Sequence, residues 1–196
     1  MGLSVLGGTL KGLNLKVPSH QGSPRPTAVL LKRKLFDAIQ NWEGMFFIDA
    51  CAGTGAMGIE AISRGAIGLT CCENSKKNFK NLSENIRLVQ NKMSQVRFEV
   101  VNQSIIQFLL SLEKHYLSLE LELQSQTMFF LDPPYEEHDL YFEVMDKIAP
   151  WFRGVLCVES DKKKGPSQNT LELKWKKNLR KHYRQGDHFL LIFEKE

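Results

Sequence analysis

A chain of 196 residues, 42% hydrophobic and 24% charged, has the makeup of a globular protein with one full core. It contains no apolar run near the roughly 18 residues that span a bilayer and no apolar signal core, so neither a membrane span nor export is expected. Its four cysteines (Cys51, Cys71, Cys72 and Cys157) form no CxxC pair, which points to free thiols in a reducing cytoplasm and away from a zinc site.

The net charge of +4 is spread unevenly. Residues 1–36 carry six basic residues and no acid, residues 37–160 a net of −7, and residues 161–196 a net of +5. Two basic ends flanking an acidic middle would form one footprint for phosphates if they shared a face.

Residues 3–17 alternate weakly around Gly7-Gly8 and Gly12, which suits a short hairpin. Residues 18–27 carry Pro18, Gly22, Pro24 and Pro26 and read as an extended linker that cannot become helical before its last proline. Thr27 is a candidate cap for a helix over 28–41, with Leu31, Leu35, Phe36 and Ile39 on one stripe. Strands at 45–49, 69–72, 96–101, 127–131 and 155–158 then alternate with helices at 56–63, 75–89, 105–112 and 140–148. Residues 113–126 continue as helix or loop. The strands are nearly continuous in apolar character, as expected when both faces are buried. The alternation predicts an α/β fold, a Rossmann-like, doubly wound and mostly parallel sheet. Around Gln185-Gly186-Asp187 the pattern changes, and 173–183 with 188–194 read as an antiparallel hairpin closing the sheet edge. The chain divides on this reading into a basic N-terminal hairpin and linker, 1–27, and a main domain, 28–196.

Two loops carry chemistry. The first follows the strand ending at Asp49, where Gly53, Gly55 and Gly58 have the G-x-G-x-x-G spacing that permits a tight turn and close ligand approach. Glu73, about 20 residues on at the next strand's end, can accept both hydroxyls of a ribose. The second is Asp132-Pro133-Pro134-Tyr135 after the apolar run 128–131. A carboxylate, two rigid prolines and an aromatic at a strand end can hold a planar amine, oxygens taking its hydrogens while a ring covers its face. A nicotinamide enzyme would use the same glycine loop and acid, but an acid at position 49 sits poorly beside a pyrophosphate, and the second loop serves no hydride chemistry.

These residues resemble a known family. Asp49-x-x-x-Gly53-Thr54-Gly55, Glu73 and Asp132-Pro133-Pro134-Tyr135 look like motifs of the class I S-adenosylmethionine-dependent methyltransferases that methylate amines. Gly7-Gly8-x-x-Lys11-Gly12-x-x-Leu15-x-Val17-Pro18, Arg25-Pro26-Thr27, Leu35-Phe36 and Gly58-x-Glu60-Ala61-x-Ser63-Arg64-Gly65-Ala66 are similar to the RsmD family, as is Val158-Glu159. The resemblance implies a seven-stranded sheet, S-adenosyl-L-methionine as cofactor, and methylation of the exocyclic N2 of a guanine in 16S rRNA, within the small ribosomal subunit or an assembly intermediate. It implies catalytic roles for Asp132, Pro133, Pro134 and Tyr135. Cofactor contacts would come from Asp49, Ala50, Gly53, Thr54, Gly55, Glu73, Asn74 and Ser104. RNA contacts would come from Lys11, Arg25, Lys32, Arg33, Arg180, Lys181 and Arg184. No metal is implied. Three positions depart from the family: Leu30, Leu31, Lys32 and Arg33 align with an R-x-R-E run, Ser104 stands where an acid or amide usually contacts adenine, and Cys51-Ala52 replace an aromatic-containing run. Adenine-N6 methylation uses the same amine-holding logic and remains an alternative, as does a non-catalytic RNA-binding or ribosome-assembly module on the same fold.

Overall fold

The computed structural model describes residues 3–18, 26–39 and 41–195. A small antiparallel pair, β1 (Leu3–Ser4) and β2 (Asn14–Leu15), precedes α1 (Pro26–Ala38). Then follow β3 (Phe46–Asp49), α2 (Ala56–Ser63), β4 (Gly68–Cys72), α3 (Lys76–Gln90), β5 (Arg97–Val101) and α4 (Ile105–Leu117). The chain continues through α5 (Leu121–Ser125), β6 (Thr127–Leu131), α6 (His138–Ile148), β7 (Gly154–Asp161), α7 (Gln168–Lys174), β8 (Leu179–Gln185) and β9 (His188–Lys195). Among the described residues no helix is long and apolar enough to cross a membrane.

The main sheet has the order β5-β4-β3-β6-β7-β9-β8. Its first five strands are parallel, β9 runs antiparallel to β7, and β8 runs antiparallel to β9. This is the expected doubly wound sheet with a hairpin at its edge. Every residue of β3, β4 and β6 is buried, because helices cover both faces. One apolar layer joins Leu31 and Leu35 of α1, Ile59 and Ile62 of α2, and Leu82 and Ile86 of α3 to the sheet. The other joins Phe108 and Leu112 of α4, Tyr141 and Met145 of α6, and Leu171 of α7.

The N-terminal hairpin is fastened to α2. Val5, Leu10 and Leu15 are buried in the first layer. Backbone N–H groups of Leu6 and Leu10 donate to Glu60 Oε2 (2.8 Å) and Ser63 Oγ (2.9 Å), and Thr9 N–H donates to the Ser63 carbonyl (2.7 Å). On the other side Asn85 of α3, wholly buried, accepts from the Lys16 N–H and donates to the Lys16 and Thr54 carbonyls.

Two expectations are corrected and one open stretch is settled. Helix α1 begins at Pro26, so Thr27 stands inside its first turn and not ahead of it. Proline costs little there, since its missing N–H would have no partner inside the helix. Residues 173–178 are not strand. Ser167 caps α7 by accepting from the Thr170 N–H (3.2 Å), and a single 3-10 turn (Lys176–Asn178) follows before β8 starts. Leu171 and Trp175, four apart and both buried, are the helical signal in that stretch. The open stretch 113–126 resolves into the end of α4 and the short α5.

Gly58 fits where α2 crosses β4. A Cβ built there would lie 2.3 and 2.8 Å from the two methyl carbons of Leu69, itself 1% exposed. Gly58→Ala is expected to destabilise the protein by up to about 2 kcal/mol. The overpacking, about 1–3 kcal/mol, outweighs the roughly 1 kcal/mol that alanine gains in a helix. A urea midpoint equal to or above that of the parent would contradict this packing.

Candidate active site

In a doubly wound sheet, ligands bind beyond the carboxyl ends of the strands, where the strand order reverses. Here the reversal lies between the adjacent strands β3 and β6, since the chain winds outward from β3 through β4 and β5 and the other way from β6 to β7. The loops leaving β3, β4, β5 and β6 open there into one cleft of about 1150 Å³. Ala50, Gly53, Glu73, Asn74 and Ser104 line one part of it, and Asp132, Pro133, Pro134 and Tyr135 another. The two motif loops, 79 positions apart between Gly53 and Asp132, therefore share one wall.

The glycine loop is braced by Glu73. Glu73 Oε2 accepts from the Gly53 N–H at 2.7 Å, and Oε1 from the Ser75 N–H at 2.7 Å. A carboxylate has about four lone-pair sites, so two remain for a ligand. Gly53 has φ 55°, a conformation glycine adopts without strain, and nothing lies within 4 Å of where a Cβ would point. Asn102 Nδ2 ties the ends of β4 and β5 together by donating to the Glu73 (2.7 Å) and Asn74 (3.1 Å) carbonyls. Ser104 caps α4, accepting from the Gln107 N–H (3.3 Å). Its neighbour Gln103 also lines the cleft, which sequence reasoning missed although the two are adjacent.

Other members of the expected cofactor set lie off the cleft wall. Thr54 turns its carbonyl to Asn85, and a Cβ on Gly55 would lie 2.6 Å from Leu82. Asp49 is 2% exposed, beneath the loop, and its Oδ2 has no hydrogen-bond partner among the described residues. Desolvation pushes the Asp49 carboxyl up to about 7, against the pull of the Gly58 N–H; the nearby Glu73 raises it further.

A stability prediction follows from that sign. The folded protein keeps a proton on Asp49 that the unfolded chain releases between about pH 4 and 7. The stabilisation is full below the unfolded-state value and is lost as pH rises through about 7. Asp49→Asn, neutral throughout, is expected to flatten the fall in urea midpoint across this window relative to the parent. Parallel pH profiles for the two proteins would rule Asp49 out as the titrating group.

In the second loop the backbone is held from behind. The wholly buried Tyr141 donates to the Pro133 carbonyl (3.2 Å) and the Glu159 carbonyl (3.1 Å), linking the ends of β6 and β7. The Pro133 carbonyl keeps one lone pair for a ligand hydrogen. The Tyr135 hydroxyl donates to Glu159 Oε1 (3.4 Å) and lies 3.0 Å from His188 Nδ1, which fixes the ring at the cleft wall. Desolvation, then the nearby Glu159, then Asp49 push the Asp132 carboxyl well above the usual range. Desolvation lifts Glu159 to about 7, against the Tyr135 hydrogen bond.

The expected RNA-contacting residues divide. Arg33 of α1 and Lys181 and Arg184 of β8 are exposed, and the two basic segments meet: Lys34 Nζ donates to the Arg184 carbonyl at 2.7 Å. Arg184 Nε donates to Gln168 Oε1, and Arg180 pairs with Glu194 at 3.2 Å. Lys11 is exposed on the N-terminal hairpin, and Arg25 lies outside the described residues. Lys32 is corrected. It is 8% exposed, donating to the Ala56 carbonyl (2.7 Å) and paired with Glu60 (3.4 Å), so it holds the start of α2 and is largely withdrawn from solvent. Sequence reasoning missed Lys163 and Lys164 after β7 and His188 of β9, all on the cleft. Only the run Lys162-Lys163-Lys164 at a strand's carboxyl end signalled them.

Comparison with known proteins bears on this arrangement. The family described as "Conserved hypothetical protein 95" matches residues 3–193. "Ribosomal RNA small subunit methyltransferase D" of Haemophilus influenzae is 32% identical over 139 residues, 67% of this chain and 63% of that protein. The match thus spans a little under two thirds of that relative's length. Among solved structures, a candidate methyltransferase, yhhF, from Escherichia coli superposes with TM-score 0.71 at 21% identity, covering 99% of this chain and 98% of that one. A hypothetical protein of Thermus thermophilus does so with TM-score 0.70 at 24% identity, over 97% and 98%. At these identities the two structures speak for the fold alone.

Proposed function

Since the chain belongs to the conserved hypothetical protein 95 family, the RsmD methyltransferases, we propose that it methylates the exocyclic N2 of a guanine in 16S rRNA, using S-adenosylmethionine. The observation that carries this reading is the shared cleft, with the Glu73-braced Gly53 loop beside Asp132-Pro133-Pro134-Tyr135. The residues fit the cofactor. Open space lies in front of Gly53, Glu73 keeps lone pairs for two ribose hydroxyls, and Ala50, Asn74 and Ser104 stand on the same wall.

When bound, the cofactor supplies a sulfonium methyl group open to in-line displacement. The protein's task is then mostly to position the amine. A guanine N2 lone pair delocalises into the ring and is a poor nucleophile. Asp132, with the free lone pair of the Pro133 carbonyl, accepts the amine hydrogens and favours a pyramidal nitrogen. Tyr135 covers the base face, a contact worth roughly 1–3 kcal/mol. The base must leave its stack to enter the cleft. Arg33, Lys34, Lys181 and Arg184 form a basic face for the RNA backbone. Replacing Arg33 and Lys181 together by Ala is expected to weaken RNA binding and reduce its slope against log salt by about 2. An unchanged slope would move the footprint elsewhere.

The test is methyl transfer from labelled S-adenosylmethionine to small ribosomal subunits lacking the modification, followed by nucleoside digestion. Label in N2-methylguanosine of 16S rRNA supports the proposal. Label in N6-methyladenosine, in protein or in nothing overturns it.

A further inference from the structure

Glu159, which accepts from the hydroxyl of the cleft-lining Tyr135 (3.4 Å), has no part in the reaction so far. Leu131 pairs in register with Val158 on adjacent parallel strands, so Asp132 and Glu159 are the next two neighbours. In-register neighbours lie about 4.8 Å apart and point to the same side. The ionisable groups around them are Asp49 below the first loop, Cys51 on it, Tyr135, Tyr141 of α6, Cys157 and Asp161 of β7, and His188, which reaches Tyr135. Among the described residues, no lysine or arginine forms an ion pair with either carboxylate. Two like charges this close, with no cation to offset them, ionise in two separated steps.

We propose that Asp132 and Glu159 act as one proton-holding pair, which gives up its proton when a sulfonium methyl donor binds and takes one back from the amine during transfer. This rests on the function proposed above and adds Glu159 to it as a residue acting through Asp132. Burial raises both carboxyls, and each charge raises its neighbour, so near neutral pH the empty pair still holds a proton. A cation entering the cleft favours the doubly ionised pair, and the proton leaves to solvent. In the transfer step the N–C bond forms as the C–S bond breaks, its electrons staying on sulfur. The amine N–H bond then breaks, its electrons staying on nitrogen, and the proton returns to the pair. The sulfonium charge is lost as the pair is neutralised by one unit, so the net charge of the site is the same before and after.

The experiment is calorimetric titration of the full chain with S-adenosylmethionine and with its neutral thioether product, S-adenosylhomocysteine. Each is run at about pH 6.5 in two buffers of different ionisation enthalpy, which counts protons released. About one proton is expected for the sulfonium and close to none for the thioether. Glu159→Gln is expected to lower the sulfonium count, because without the neighbouring carboxylate the Asp132 carboxyl holds its proton less tightly and has less of it left to release, whereas Glu159→Asp keeps it. Equal counts for the two ligands in the parent, or an undiminished count in a folded Glu159→Gln, overturn the pair while leaving the cofactor reading intact. Binding of neither ligand overturns both. The parent comparison stands even if Glu159→Gln does not fold.

Discussion

Asp132→Ala leaves a folded protein that still binds S-adenosylmethionine but transfers methyl at least about 10²–10³-fold more slowly, the usual cost of removing one group aimed at the reacting atoms. The carboxylate is the strongest acceptor on that stretch of cleft wall, since the Pro133 carbonyl is partly occupied by Tyr141. Its stability should move the other way. Desolvation and two neighbouring acids raise the Asp132 carboxyl, so the folded state gains nothing from its charge. The variant is expected to melt at the same temperature as the parent or above it. Rate, cofactor affinity and melting temperature measured on one preparation separate a chemical loss from a structural one. A variant that keeps full activity removes Asp132 from the mechanism; one that is inactive and also melts early means the residue supports the fold.

Glu60→Ala is expected to cost about 3–5 kcal/mol of stability, a large share of the roughly 5–15 kcal/mol typical of a domain. Glu60 is wholly buried and joins three segments. It accepts from the Leu6 N–H (2.8 Å) in the N-terminal hairpin and from Arg64 Nε (2.9 Å) at the end of α2, and pairs with Lys32 Nζ (3.4 Å) of α1. Its removal strands a buried ammonium whose pKa desolvation already lowers, with Glu60 the main opposing influence. Arg64 would keep its contact with the Phe36 ring, 5.0 Å away. Because Lys32 also holds the Ala56 carbonyl, just past the glycine loop, cofactor affinity should fall as well. Combining Glu60→Leu with Lys32→Met is expected to recover most of the stability, since an apolar pair removes both desolvation costs. A loss under about 1 kcal/mol in urea unfolding of Glu60→Ala would mean that water reaches this cluster.

Much of the fold is legible along the chain. The order of strands and helices, the parallel sheet and the edge hairpin follow from apolar periodicity, which depends only on neighbours a few residues apart. The errors sit where local rules compete. The 171–175 spacing of two apolar residues is helical, yet the basic and apolar mixture of 173–183 reads as strand. Pro26 reads as a linker residue and serves as a helix start.

The site divides in the same way. Gly53, Glu73 and Asp132–Tyr135 are recognisable because each pairs a residue type with a strand's carboxyl end, and parallel strands bring those ends together. The fates of Lys32, Asp49, Glu159 and His188 depended on tertiary structure. A lysine on a helix reads as solvated until Glu60, 28 positions later, is placed beneath it. Asp49 reads as a ligand contact until the depth of the loop above it is known. Glu159 becomes a neighbour of Asp132 only through the β6–β7 register, and His188 reaches Tyr135 only because β9 folds back antiparallel to β7. The chain by itself thus determined which chemistry-bearing groups stand at strand ends. Strand order and register, set by the burial of both sheet faces, decided which of those groups touch, because contact and desolvation arise between residues that the sequence holds far apart.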